Sequence, residues 1–165
     1  MSKSTVPEFL KDMPLSSGVV TKETNPKDAI GSGKLPINLV PPVGEMYASL
    51  AFLEGALKYG RYNWRIAGVR MSIYFDALHR HLAKYWDGED VDPETQVPHL
   101  SSALACIIII LDAKHAGKLT DDRPPVVAMG ATIAELTGVV ALLKEQFKDR
   151  HPKQYTIADS EGPRD

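Results

Sequence analysis

The stretch HLSSALACIIIILDAKH, residues 99–115, narrows the possible folds of this chain more than any other. Residues 103–111 within it are apolar without interruption. A helix that is apolar on all sides must be covered on all sides, so this stretch predicts the central helix of a bundle. Four consecutive isoleucines also suit a buried strand. The length of the segment and the stop signal at Gly117 favour a helix instead.

Amphipathic helices are predicted on both sides of this central segment. In each, apolar residues recur at steps of three and four, which places them on one helical face. The predicted helices span residues 43–59, 71–86 and 131–150, and Phe75, Leu78, Leu82 and Tyr85 are predicted to form the buried stripe of the second. Residues 61–68 are predicted to be a loop, and prolines and glycines exclude a long helix from 25–42. The fold class is therefore all-α, a helical bundle of about four main helices.

Length and composition set the broad class of protein. The chain has 165 residues, of which 44% are hydrophobic and 24% charged, which suits a globular domain. We expect a flexible N-terminal segment over 1–24, a catalytic helical domain over 25–125, and a C-terminal packing or oligomerisation helix and tail over 126–165. A net charge of −2 gives no basic field to attract nucleic acid polymer. No apolar segment resembles a signal peptide or a membrane span, so a cytoplasmic location is expected.

Most of the chemically capable side chains lie between residues 54 and 99. Glu54 and Lys58 are one helical turn apart, so they either form a surface ion pair or contribute to a site. Asn63, Trp64 and Arg65 follow in the predicted loop. An amide, a planar aromatic ring and a guanidinium group suit recognition of a base and phosphates. A tryptophan packed beneath the helix end fits the same residues.

A second group of polar residues joins the 71–86 helix to an acidic loop. Asp76 and Arg80 lie one turn apart on that helix, and His81 follows. Residues 87–94 carry five carboxylates, which repel each other unless they are solvated or neutralised by a cation. The loop is therefore either a solvated surface loop or a divalent metal site. His81 and His99 are candidates for metal binding or proton transfer, or are core histidines with satisfied hydrogen bonds.

Three familiar site motifs do not fit the sequence. A P-loop needs Ser or Thr after its lysine, whereas Leu35 follows Lys34 in GSGKL. That segment is either a surface connector or a loop that brings Lys34 to a ligand. An EF-hand is excluded because Val91 stands where the loop needs its third oxygen ligand. A zincin is excluded because no HExxH occurs.

The segments NPKDAIGSGKLP, GALKYGRYNWR, DALHRHLAKYWDGEDVDP and PHLSSALA resemble the phage-encoded dATP/dGTP diphosphohydrolase family (MazZ-like). This family is related to the MazG-like all-α nucleoside triphosphate pyrophosphatases, and the similarity covers residues 24–125. The resemblance implies hydrolysis of a purine deoxynucleoside triphosphate, dGTP or dATP, to the monophosphate and pyrophosphate. It also implies dependence on Mg2+ or Mn2+ and assembly as a homodimer or homotetramer. The expected reaction is attack of metal-bound water on the α-phosphorus.

The metal-binding motif of the MazG-like enzymes has two possible registers in this chain. Those enzymes use EExxE on one helix and ExxD on the next, and this chain has no EExxE. One register assigns the ExxD places to Asp76 and His79, and the other assigns them to His99 and Ser102.

The predicted site residues fall into three groups, all taken from the matching segments. The predicted metal ligands are the carboxylates Glu54, Asp76, Glu89 and Asp92. The predicted proton-transfer residues are His81 and His99. The predicted substrate-binding residues are Lys34, Lys58, Asn63, Trp64, Arg65 and Arg80.

Two other functions compete with this interpretation. An HD-type phosphohydrolase is also helical and also acts on deoxynucleotides, but its adjacent His-Asp pair does not occur here. It would release triphosphate or orthophosphate in place of pyrophosphate. A non-enzymatic, oligomeric helical binding protein would show no metal-dependent turnover of any triphosphate.

Overall fold

The computed structural model describes residues 26–31 and 33–160. The chain divides into two compact units, residues 1–41 and 42–165. The first unit contains helix α1 (Pro26–Gly31) and a 3-10 turn (Ile37–Leu39). The prediction that residues 25–42 hold no long helix is thus confirmed for the described part of that range. The predicted flexible segment 1–24 lies outside the described residues.

The second unit is built from long helices, which confirms the all-α prediction. Its helices are α2 (Pro42–Tyr59), α3 (Asn63–Ala67), α4 (Met71–Trp86), α5 (His99–His115) and α6 (Met129–Gln146). Two short parallel strands, β1 (Val69–Arg70) and β2 (Leu119–Thr120), pair after α3 and α5, and a 3-10 turn (Ile157–Asp159) follows α6. Within the described ranges, every helix is too short or too polar to traverse a lipid bilayer.

Helix α5 is the central helix of the second unit, as predicted, but it is not covered on all sides, since Leu100, Ile107 and Leu111 are 45%, 42% and 62% exposed. It packs against α2 and α4, and its buried side chains are mostly small. Ala103, Ala105, Cys106 and Ala113 are buried on α5. Small side chains allow neighbouring helix axes to approach closely, so they occupy the interior of this unit.

The predicted buried stripe of α4 is wrong for the single chain. Phe75, Leu82 and Tyr85 remain 50%, 42% and 40% exposed. Large apolar residues of α6 behave in the same way, and none of its residues is buried. The three-and-four spacing correctly groups these side chains on one face, but it does not specify what covers that face.

Two further predictions of local structure need correction. Residues 61–68 are not a continuous loop, because Tyr62 adopts a left-handed φ of 55° and α3 then forms one short helix that ends at Gly68. The last helix is α6 (Met129–Gln146), which ends four residues earlier than the predicted residue 150. Its apolar periodicity ends at Phe147, where the backbone leaves helical geometry with ψ of 19°.

Candidate active site

A cavity of about 390 Å³ lies among α2, α3, α4, α5 and the loop 87–98. Half of the predicted site residues line it: Glu54, Lys58, Asn63, Trp64, His81 and Asp92. The wall is completed by aromatic and small side chains, which include Phe52, Tyr59, Tyr74, Thr95, Ser102 and Cys106. A pocket of this size, apolar with a few polar groups, is typical of small-molecule sites.

Helix α2 contributes an ion pair to the cavity. The Lys58 ammonium donates to Glu54 Oε1 at 2.5 Å, with the side chains 50% and 24% exposed. This hydrogen bond is the main cause that raises the pKa of Lys58 above its ordinary value. The two sequence interpretations of this pair, ion pair and site residues, are therefore compatible, because the pair itself lines the cavity.

The loop 87–98 is ordered and directs Asp92 to the cavity. Asp92 Oδ1 accepts hydrogen bonds from the backbone N–H groups of Glu94 and Thr95 at 3.0 and 3.1 Å. The backbone of Asp92 also pairs with Val97 across the loop at 3.0 Å. The Thr95 hydrogen bond is the main cause that lowers the pKa of Asp92, so its carboxylate stays charged at neutral pH. Within the described chain, its other oxygen, Oδ2, accepts no hydrogen bond.

Two histidine rings connect the cavity to the interior. His81 Nδ1 lies 3.0 Å from His99 Nδ1, so the rings share one hydrogen bond. His81 lines the cavity, whereas His99 has no solvent exposure and is not part of the lining. Burial, followed by the nearby His99 ring, lowers the pKa of His81 below its ordinary value. His81 is therefore neutral at pH 7.

Glu89 lies behind this pair of rings. Its Oε1 accepts from His99 Nε2 at 2.8 Å and from Lys84 Nζ at 2.9 Å. The His99 hydrogen bond, and then the Lys84 one, lower the pKa of Glu89. Glu89 is not among the residues that line the cavity.

Trp64 is fixed in the cavity wall by an acidic residue of α5. Its indole Nε1 donates to Asp112 Oδ2 at 2.6 Å. The Phe52 ring packs against the indole, with 5.7 Å between the two ring centroids. Arg65 binds the same carboxylate through two hydrogen bonds of 2.7 Å each. Arg65 does not line the cavity of Glu54 but a neighbouring one of about 520 Å³ on the other side of Trp64.

Asp112→Asn is expected to lower the Tm at pH 7 by a few degrees, because one of the two oxygens that hold α3 becomes a donor. Hydrogen bonds from Arg65 and then Trp64 lower the pKa of Asp112 to about 2. Because the pKa of Asp112 in the folded state lies below its ordinary value near 4, the ionised carboxylate stabilises the fold above about pH 4. This stabilisation is lost as pH falls through about 2. The Tm difference between parent and variant should therefore shrink between about pH 4 and pH 2, as followed by circular dichroism melts.

The matched control for this prediction is Asp121→Asn. Its pKa is also lowered to about 2, by Arg123, which is only two residues away. Such a local pair can persist in the unfolded chain, so its removal should barely change the Tm. Equal losses of Tm in the two variants would contradict the role of Asp112 as a tertiary anchor.

The remaining predicted residues lie elsewhere. Asp76 and Arg80 are exposed on α4 and do not line the cavity. Lys34 lies in the first unit, where it is exposed and its backbone N–H donates to the Gly31 carbonyl at 3.1 Å. The roles assigned to these three side chains stay predictions.

Sequence reasoning missed the aromatic lining and the anchor of Trp64. Tyr59 and Tyr74 line the cavity from α2 and α4, but as helix residues they resemble ordinary packing groups. Asp112 had a usable signal, since it is the only acidic residue within α5. An acid on a helix that packs at the centre of a unit needs a partner, which here is Arg65 with Trp64.

The donor set of the cavity fits one mode of divalent-cation binding. Among the described residues, no three His, Cys, Asp or Glu side chains converge into a ready-made metal site. Mg2+ is usually held by one or two carboxylates together with substrate phosphates and waters, so a full protein cage is not required. Glu54 and Asp92 supply two carboxylates to the same cavity.

Comparison with known proteins places these residues in a family context. Residues 24–123 match the family described as dATP/dGTP diphosphohydrolase, N-terminal, and this range contains the whole cavity lining. A protein of Salmonella phage PMBT28 named dATP/dGTP diphosphohydrolase is 30% identical over 91 residues. The alignment covers 55% of this chain and 31% of the phage protein, so the chain spans about a third of that relative. No solved structure matches the chain.

Proposed function

Because the chain belongs to the dATP/dGTP diphosphohydrolase N-terminal family, we propose that it hydrolyses a purine deoxynucleoside triphosphate, dGTP or dATP. The products are the monophosphate and pyrophosphate. The observation that carries this proposal is a cavity in the matched region that combines Glu54, Lys58, Trp64, His81 and Asp92. Carboxylates, an ammonium group, an indole and an imidazole supply what phosphate cleavage and purine binding need.

The polar and aromatic walls of the cavity suit the two ends of a nucleotide. The Lys58 ammonium is half exposed and can turn from Glu54 to a phosphate oxygen. Tyr59 offers a flat apolar surface for a purine, Trp64, which is only 9% exposed, backs the cavity wall, and the amide of Asn63 can pair with a base edge. In the proposed complex, binding of the triphosphate thus replaces the internal ion pair with a charged ligand.

Glu54 and Asp92 are the residues that would hold a divalent cation, Mg2+ or Mn2+. When bound, the cation neutralises charge on the phosphate oxygens and makes a water molecule more acidic. The carboxylate of Asp92 is already ionised and held rigidly by its loop, so its placement requires no rearrangement of the backbone.

His81 is the proposed proton acceptor. As a neutral ring in the cavity wall, it can take a proton from the water that attacks the α-phosphorus. The new P–O bond forms as the bond to the β-phosphate oxygen breaks, and pyrophosphate leaves with its electron pair. No covalent intermediate with the protein is needed.

We also propose that the chain assembles as a homodimer or homotetramer. Ile133, Leu136, Val140 and Leu143 on α6 are between 47% and 58% exposed. Apolar surface of this extent is usually covered by another protein surface. A second copy would cover the faces of α6 and α4 that the single chain leaves in contact with water.

The proposed reaction predicts a definite set of products. The purified chain, incubated with dGTP or dATP and Mg2+ or Mn2+, is expected to release pyrophosphate and the matching monophosphate in equal amounts. Chromatography of the nucleotides with separate assays for pyrophosphate and orthophosphate measures this outcome. Release of triphosphate or orthophosphate would indicate the HD-type reaction. No turnover of either nucleotide would favour a binding protein.

A further inference from the structure

We infer that Glu89 and His99 are positioning residues that hold His81 in the tautomer whose Nε2 carries no hydrogen. This nitrogen can then accept a proton in the cavity that His81 lines. The catalytic consequence of the inference rests on the proposed function, whereas the tautomer is a property of the protein alone. The sequence interpretation gave Glu89 to a metal and His99 to catalysis, and the geometry points to a different role for both.

The chain of hydrogen bonds begins at Glu89. An ionised carboxylate can only accept hydrogen bonds, and Glu89 Oε1 accepts from His99 Nε2 at 2.8 Å. His99 Nε2 must therefore carry a hydrogen. Lys84 Nζ contacts the same oxygen at 2.9 Å in an exposed ion pair, which the hydrogen bond from His99 does not require.

The hydrogen on His99 Nε2 determines the state of the next ring. A neutral imidazole has one N–H, so His99 Nδ1 is left with a lone pair. His81 Nδ1 lies 3.0 Å from it, and a hydrogen bond at that distance requires one proton between the two nitrogens. His81 Nδ1 is consequently the donor. A neutral His81 ring then has no hydrogen on Nε2, and no hydrogen bond occupies Nε2 within the described residues.

The opposite arrangement requires a doubly protonated His99. His99 would then donate from both nitrogens, and His81 would carry its hydrogen on Nε2 and present a donor. His99 has no solvent exposure, so this arrangement places a positive charge on a fully buried ring beside the Glu89 carboxylate. The neutral arrangement makes the same two hydrogen bonds with one hydrogen each and places no charge in the interior, and the tautomer of His81 distinguishes the two.

The location of the two residues excludes direct contact with a ligand in this cavity. Neither His99 nor Glu89 lines it, and His99 is enclosed by protein. They act through His81, much as a second layer of hydrogen bonds orients a metal-binding histidine. His99 is held in turn by its own backbone N–H, which donates to the Asp90 carbonyl at 3.0 Å.

The tautomer is measured directly by 15N NMR of the histidine rings in the full chain. The expected spectrum shows a protonated Nδ1 and an unprotonated Nε2 for His81, and the reverse for His99. A proton on His81 Nε2 overturns the inference, whether or not the protein turns over a nucleotide.

Three variants separate positioning from a structural role. Glu89→Ala removes the acceptor of His99, so we expect the His81 tautomer to become mixed and kcat to fall about 10- to 100-fold with little change in KM. Glu89→Gln retains an oxygen that can accept the same hydrogen bond, and it should recover most of the activity. Lys84→Ala removes only the ion pair with Glu89 and should stay within about twofold of the parent.

The outcomes distinguish this inference from the proposed function. If His81 Nε2 carries no hydrogen but the protein does not turn over a nucleotide, the proposed function is wrong and the inferred tautomer is correct. Equal losses in Glu89→Ala and Lys84→Ala would show that Glu89 serves only the ion pair, and would overturn its positioning role. Should Glu89→Ala unfold, the 15N spectrum of the parent still tests the inference, because a hydrogen on His81 Nε2 would overturn it.

Discussion

Glu54→Gln is expected to lower kcat/KM for the preferred deoxynucleoside triphosphate about 10²- to 10³-fold. The substitution keeps the size of a side chain that is 24% exposed in the cavity wall, and it removes the negative charge. Two effects act together. One of the two carboxylates proposed to hold a cation is lost, and the Lys58 ammonium loses its partner. Steady-state kinetics with dGTP and with dATP, at saturating Mg2+, measures the change.

Glu45→Gln is the matched control. It makes the same chemical change on the same helix, in the first turn of α2, at an exposed position outside the cavity lining. Its activity should stay within about twofold of the parent, and melting curves should show that both variants are folded. Parent-like turnover by Glu54→Gln would place the chemistry elsewhere.

Lys58→Gln separates the two effects of losing Glu54. If Glu54 acted only by holding Lys58, the two variants would lose the same steps of the reaction. We expect Lys58→Gln mainly to raise KM, because an ammonium that binds phosphates contributes to substrate binding as well as to the transition state. Glu54→Gln should mainly lower kcat. Identical profiles would contradict separate roles for the two side chains.

Three of the four long helices in the described part of the chain could be predicted from the sequence almost to the residue, whereas α6 begins two residues and ends four residues earlier than predicted. Helices α4 and α5 have the predicted bounds, and α2 begins one residue before the predicted start. Local signals explain this accuracy, because apolar spacing defines the helix and a glycine ends it. Gly60 and Gly117 both adopt the left-handed φ expected after a helix, at 88° and 65°.

The packing of those helices could not be predicted in the same way. Periodicity shows which side chains share a face, but a large apolar stripe on α4 and a row of alanines on α5 compete for the interior. In the single chain the alanines are buried, because they permit close approach of the helices. The face with the large side chains remains for a partner, which the pattern of one sequence does not identify.

The candidate site was predictable where its residues are close in sequence. Glu54, Lys58, Asn63 and Trp64 come from one stretch and line one cavity. On α4, the position around the helix axis determines which side chains reach the cavity. Ala77 and His81 face it, whereas Asp76 and Arg80 lie one residue earlier and therefore point about 100° away. The contacts between His81 and His99, and between Trp64 and Asp112, join distant segments and depend on the tertiary fold.

Gly68→Ala is expected to cause the largest loss of stability of any substitution considered for this chain, about 2–6 kcal/mol. Gly68 ends α3 with φ of 77° and ψ of 170°, a region that only glycine adopts readily. A Cβ atom built there would lie 2.9 Å from the Lys118 carbonyl oxygen. That oxygen accepts a hydrogen bond from the Val69 N–H at 2.9 Å, at the start of the β1–β2 pair. Relief of the contact therefore requires a shift of backbone that takes part in this bond.

Gly117→Ala separates the steric clash from the cost of left-handed backbone. Gly117 has φ of 65°, but among the described residues no atom beyond its chain neighbours lies within 4 Å of its Cβ position, so the variant should lose only about 1–2 kcal/mol. Gly138→Ala, in open space within α6, should gain about 0.5–1 kcal/mol from helix propensity. Urea unfolding of the three variants measures the order. An equal loss at Gly68 and Gly117 would show that the Lys118 carbonyl can yield to the added Cβ atom.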